Sequence, residues 1–235
     1  MVRGARLAGQ SRGLSSAAMA SPVRPVDSAD ALERALEPFE GSGRSVLLIG
    51  GADFADCTPD LLGSIRRFLA TLAGACESAG AAVVDGGTDS GVMRWFAEAR
   101  AEAGGTFPLI GVVPEGALRR RTRTGGPIAP AEGHSAILTV PGERFGDEQP
   151  WLFRAVDRLG AGAPAVVVNG GRLAAGEARQ RLEDGFVVLA AAGSGRTADE
   201  LIADEGLRAS GRLRVIPLAV EAPHLAAALE EAWSR

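Results

Sequence analysis

Ser45-Val46-Leu47-Leu48-Ile49-Gly50-Gly51 carries the pattern that sets the fold class of this chain. Apolar residues run without alternation from Val46 to Ile49 and stop at a glycine pair. A strand with one solvated face alternates apolar and polar residues, whereas one covered on both faces reads as a continuous apolar run. Strands of the second kind belong to parallel sheets and are joined by helical crossovers. The flanking sequence agrees. Residues 59–79 have the length and spacing of a helix, opened by Pro59 and with Asp60 near its positive end. The unit then returns: residues 81–84 form a second short strand, ending in Asp85-Gly86-Gly87-Thr88, and a helix follows over 90–103.

Working outward, strands are expected over 108–113, 135–140, 163–169 and 186–190, with a last edge strand at 213–217. Helices are expected over 28–37, capped by Asp27 or Ser28, over 147–159, with Pro150 in its first turn, over 177–183, from 198 to about 205, and over 224–233. Residues 118–130, rich in Arg, Gly and Pro, read as a loop. The alternation predicts an α/β chain: a Rossmann-like, doubly wound, mainly parallel sheet with helices on both faces and right-handed connections. Residues 26–235 read as a single domain. Residues 1–25, rich in Arg, Ser, Gly and Ala and lacking any acid, read as a disordered tail or as sequence upstream of a start at Met19.

Composition narrows the function. The 235 residues are 46% hydrophobic, with a formal charge of -4, a pI near 5.4 and a mean hydropathy of +0.09. A mildly acidic surface disfavours nucleic acid, whose affinity rests on phosphate neutralisation. No apolar run approaches the length of a membrane span. All 25 basic residues are Arg, so Schiff-base lysine chemistry and a phosphate-loop Lys are excluded. Two Cys and two His, far apart in sequence, argue against a metal centre. The thiols suit a reducing, cytoplasmic compartment, and no cofactor is indicated. The cluster Arg119, Arg120, Arg121 and Arg123 reads as a solvated loop, with an arm over a phosphate as its functional counterpart.

Four expected strand ends carry small turns: Gly50-Gly51, Gly86-Gly87, Asn169-Gly170-Gly171 and Gly193-Ser194-Gly195. In open α/β sheets ligands bind beyond the carboxyl ends of the strands. Glycine lets backbone amides approach a ligand, and a helix opened there faces it with a positive dipole end. The last motif adds the Ser194 and Thr197 hydroxyls and the Arg196 guanidinium, all suited to phosphate oxygens. Glu200 has two open readings. It closes a Thr197-x-x-Glu200 capping box, or it serves a ribose or a glycosidic carbon. Asp85 reads as a ribose-binding or loop-ordering acid. Thr88, Asp89 and Ser90 are N-cap candidates. Glu115 reads as a ligand contact or an exposed turn residue, His134 as a structural or ligand-side histidine, and Asp147 and Glu148 as caps.

These motifs, in this order, resemble the SLOG superfamily, which takes in the LOG phosphoribohydrolases, the Smf/DprA Rossmann domain and the cytosolic region of TRPM channels. Within it the chain is similar to the prokaryotic TRPM-like branch. The resemblance spans residues 44–206. It rests on Gly50-Gly51-Ala52-Asp53, on Val83-Val84-Asp85-Gly86-Gly87-Thr88-Asp89-Ser90-Gly91 and on Ile110-Gly111-Val112-Val113-Pro114. It continues through His134-Ser135, Gly146-Asp147-Glu148 and Gly193-Ser194-Gly195-Arg196-Thr197-Ala198-Asp199. It implies a small-molecule partner of the ADP-ribose or NAD-derived class. The implied contacts are Gly50, Gly51, Asp53, Gly86, Gly87, Thr88, Gly91, Glu115 and residues 193–197. It also implies a separate effector protein and a homo-oligomer, since related enzymes dimerise. The phosphoribohydrolase motif is kept at Gly193, Thr197 and Glu200 but departs at Ala192, Ser194 and Arg196. Binding or sensing is therefore the first expectation, and N-glycosidic cleavage through Glu200 the alternative.

Overall fold

In the computed structural model the run from Ser45 to Gly50 is a strand, β2, buried along its length and half-buried at Gly50. Residues 20–121 and 126–235 are described; most of the expected tail and Arg123 of the basic cluster lie outside them. The remaining strands are β1 (Val23–Pro25), β3 (Ala82–Asp85), β4 (Leu109–Pro114), β5 (Ala136–Val140), β6 (Ala165–Val168), β7 (Val188–Ala192) and β8 (Leu213–Pro217). The helices are α1 (Ala29–Leu36), α2 (Pro59–Ala79), α3 (Gly91–Glu102), α4 (Glu115–Leu118), α5 (Gln149–Leu159), α6 (Arg172–Glu183), α7 (Arg196–Ala203), α8 (Glu205–Ala209) and α9 (Ala222–Trp233).

Helix α2 shows how local chemistry sets these bounds. The Thr58 hydroxyl accepts from the Leu61 amide, Pro59 fills the first turn, and Gly80 ends the helix at φ +60. Such a left-handed terminus suits glycine.

The eight described strands form one sheet in the order β1-β5-β4-β3-β2-β6-β7-β8, and every pairing is parallel. Neighbouring residues of each strand feed opposite faces. Leu47 and Ile49 join the core beneath α1, α5, α6 and α7. Val46 and Leu48 join the core beneath α2, α3 and α9. The chain lays strands outward from β2 through β3, β4 and β5, returns, and lays β6, β7 and β8 on the other edge of β2. The order therefore reverses between β2 and β6. There the following helices leave for opposite faces and open a crevice beyond the strand ends.

Several expected boundaries are corrected. Val23–Pro25, expected in the tail, is an edge strand in register with Ile137, Leu138 and Thr139. Helix α6 begins at Arg172, not 177. Strand β7 lies two residues later than expected, because Phe186 turns aside to lie 3.4 Å under the buried Arg181 guanidinium.

Candidate functional site

The β2–β6 crevice is lined by three turns that touch one another. Asn169, at the end of β6, holds two of them together. Its backbone N–H donates to the Ser194 hydroxyl at 2.8 Å, and its side-chain amide donates to the Ser194 carbonyl at 2.6 Å. Its side-chain oxygen accepts from the Gly170 amide at 2.9 Å. Asn169 is buried and sits at φ +56, a left-handed conformation that Asn tolerates better than most residues. Gly51 supplies the third turn. A Cβ there would lie 2.8 Å from the Asn169 side-chain oxygen, so only glycine lets the end of β2 meet this clasp.

Arg196 spans the crevice. It is exposed and held at φ +51, an uncommon conformation for a non-glycine residue and one that concentrates at functional sites. Its guanidinium donates to the Asp53 carbonyl at 3.3 Å and passes 2.9 Å from where a Gly171 side chain would begin. Among the described residues it forms no ion pair. Helix α6 opens here from Gly171 with no side-chain cap, and α3 opens across β2 from Ser90, also without one. Two positive helix ends and an unpaired guanidinium thus meet at one crevice, an arrangement that attracts an anion.

The other expected residues divide by what they touch. Gly50, Gly87 and Gly91 serve packing. Their Cβ atoms would lie 2.4 Å from the Val92 side chain, 2.8 Å from Gly111 and 2.0 Å from the Gly51 carbonyl oxygen, respectively. Gly86 and Gly193 face open space. Thr88 is buried and shares a hydroxyl contact of 3.1 Å with Ser90. Asp53 is exposed, and its carboxylate orders its own loop by accepting from the Ala55 amide. Glu115 is exposed at the end of β4 and accepts from Arg119, away from the crevice between β2 and β6.

The 193–197 turn departs from the expected phosphate cradle. Ser194 donates to the Ala191 carbonyl and Thr197 to the Gly171 carbonyl, so both hydroxyls are committed to the backbone. The Gly193 and Gly195 amides donate to Asp199 at 2.7 and 3.0 Å. The expected Thr197–Glu200 capping box does not form, because α7 is capped at Gly195, two residues earlier. Asp199, not Glu200, reaches back to the turn. Glu200 is exposed on the first turns of α7, and its carboxylate has no partner among the described residues.

Asp85 takes the loop-ordering role of its two expected readings, while the raised titration of the Glu148 and Glu177 carboxylates was not expected. Asp85 is fully buried; it accepts from the Gly87 amide and pairs with His134 Nε2 at 2.9 Å. It is therefore the acid that orders the Gly86-Gly87 turn. Glu148, at the start of α5, is buried, and burial raises its titration above the ordinary carboxylate range. Glu177 on α6 is pushed up to about 8, by burial first and then by the charge of Glu148. An acid at a helix start reads as an ordinary cap in sequence, and the facing of two helices is not written there. Among the described residues no group of His, Cys, Asp and Glu gathers to hold a metal, and no helix is long and apolar enough to cross a membrane.

Comparison with known proteins places this geometry. The family model described as SLOG in TRPM, prokaryote, matches residues 44–229, and the chain belongs to that family. No curated protein matches the chain. Among solved structures it is similar to the molybdenum cofactor carrier protein of Chlamydomonas reinhardtii. That match has 20% identity and a TM-score of 0.55, and covers 82% of this chain and 99% of that one. The molybdenum cofactor binding protein of Rippkaea orientalis matches at 15% identity and a TM-score of 0.53, covering 80% and 96%. The X-ray structure of TM1055, a structural-genomics target, matches at 20% and 0.55, covering 80% and 99%. At these identities the likeness is one of fold.

Proposed function

We propose that this SLOG-family chain binds a phosphate-bearing, nucleotide-derived small molecule of the ADP-ribose or NAD-derived class, in the cytoplasm, and acts as its sensor. The observation that carries the reading is the meeting of the unpaired Arg196 guanidinium with the uncapped start of α6 at the β2–β6 crevice. The phosphate position moves accordingly, from the 193–197 turn expected at first to the space between Gly171 and Arg196. In the 193–197 turn, the chain's own Asp199 carboxylate occupies two of the amides.

Calorimetric titration with ADP-ribose, AMP and NAD tests this. One of them should bind, and Arg196→Ala should weaken it at least about tenfold, the scale of one charge-assisted contact. Arg196→Lys should recover only part of the loss, since it keeps charge without the planar fork. Unchanged affinity in Arg196→Ala would remove the anion site from this crevice. The molybdenum cofactor, carried by proteins of the same fold, is the control ligand. A clear preference for it would keep the crevice and replace the ligand class.

Glu200 supports a second reading. An exposed carboxylate without a partner, at the start of the helix that carries Arg196, suits activation of water against a glycosidic carbon. Release of free base from AMP or NAD, abolished in Glu200→Gln, would establish turnover. Binding without base release leaves the sensor.

A further inference from the structure

We propose that the crevice also holds a ring-stacking wall: Phe54, backed by Trp95, seats the planar heteroaromatic ring of the ligand whose phosphate Arg196 holds. The proposal rests on the reading above and adds the chemistry of the ligand's other end.

Phe54 lies three residues beyond Gly51, in the loop between β2 and α2, and is half-buried. Its ring stacks on Trp95 with centroids 4.6 Å apart and planes 29° from parallel. Trp95 is itself buried on α3, and the Arg66 guanidinium lies 4.8 Å from its ring centre. The indole N–H has no acceptor among the described residues, so packing and stacking alone fix that ring. Phe54 packs against the core through Trp95 and keeps part of its own surface exposed.

Its position relates it to the phosphate side. The tip of the Phe54 ring is 3.4 Å from where a Gly51 Cβ would lie, and the same point is 2.8 Å from the Asn169 side-chain oxygen. The ring and the Asn169 clasp therefore flank one glycine on the crevice floor. Asp53, whose carbonyl receives Arg196, immediately precedes Phe54. A ring wall and an unpaired guanidinium, one loop residue apart, fit a ligand with phosphate at one end and an aromatic ring at the other. Every nucleobase offers such a face, and stacking on an aromatic side chain is tolerant of base identity. The wall therefore calls for a base without choosing which one.

AMP and ribose 5-phosphate differ only by the base, so the pair isolates the wall. Calorimetry on the full chain should show Phe54→Leu weakening AMP about tenfold while ribose 5-phosphate changes less than twofold. Phe54→Trp should keep AMP affinity, and its new indole emission should be quenched by AMP and not by ribose 5-phosphate. Equal losses for both ligands, or none for either, would mean that Phe54 only covers the core, and would overturn this inference while leaving the phosphate site standing. If the unmutated chain binds neither of these ligands, nor ADP-ribose nor NAD, the phosphate reading falls and the wall falls with it. If it binds only ADP-ribose or NAD, the Phe54→Leu loss is read on that ligand, and an unchanged affinity overturns the wall alone. Arg196→Ala separates the two ends: it should weaken both ligands alike.

Discussion

Glycines that look interchangeable in a motif do different physical work. Gly91 sits at φ +51 with a would-be Cβ 2.0 Å from a backbone oxygen, and that oxygen already receives the Val92 amide. Neither atom can move without separating α3 from the end of β2. Gly193 also has a left-handed φ, but its Cβ would meet nothing. Gly91→Ala should therefore cost about 3 kcal/mol or more, from strain and a backbone clash together. Gly193→Ala should cost only about 1 kcal/mol, the conformational part alone. Urea denaturation of the two variants checks this. Equal losses would mean that the close approach of α3 and β2 relaxes freely.

At the scale of elements, the interface of α5 and α6 carries a pH dependence. Glu148 and Glu177 both titrate above the ordinary range, so the fold favours their protonated forms. For such a group stability is fully present below its unfolded value, near 4.5, and is lost as pH rises through its folded value, about 8 for Glu177. Glu177→Gln removes that loss. Its stability should exceed the parent's by up to about 5 kcal/mol at pH 9, the full linkage of the shift, less whatever relaxation of the site relieves, and match it at pH 4, as measured by denaturation across that range. Parallel curves would show that Glu177 ionises freely. The strands and long helices were legible in sequence because apolar runs end in glycine or proline and α2 carries its own caps. The start of α6 was not, since Arg172-Leu173-Ala174-Ala175-Gly176 has neither a capping side chain before it nor a clean apolar stripe. The same gap displaced part of the site. Counting a capping box from Thr197 selects Glu200; the true cap is Gly195, and the acid that reaches back to it is Asp199, four residues on and outside the three-residue spacing of a capping box. The presence of glycine turns at the strand ends was readable, but their division into packing and open positions depends on neighbours distant in sequence, such as Val92 for Gly50 and Gly111 for Gly87.

At the scale of the whole molecule, the sheet separates the edge that holds the N-terminal strand from the crevice that holds Arg196. β1 pairs only with β5, and three strands stand between it and β2, a span of about 19 Å at the usual strand spacing. Ser21, just before β1, donates to the Ala131 carbonyl and accepts from the His134 amide. It thereby holds down the segment above the β3 end. The buried His134–Asp85 pair that orders the Gly86-Gly87 turn does not include it. A chain beginning at Val26 loses the β1 ladder and the Ser21 contacts but keeps β2, β6 and β7 with their turns. Its melting midpoint should fall by about 5 °C. The uncovered edge of β5 should raise its tendency to self-associate, visible in light scattering. Affinity for ADP-ribose should stay within about threefold, as expected for well-separated sites. A much larger loss of affinity would mean that the crevice depends on the far edge of the sheet, through Asp85 and the Gly86-Gly87 turn, and that ligand binding and the N-terminal strand are coupled across the molecule.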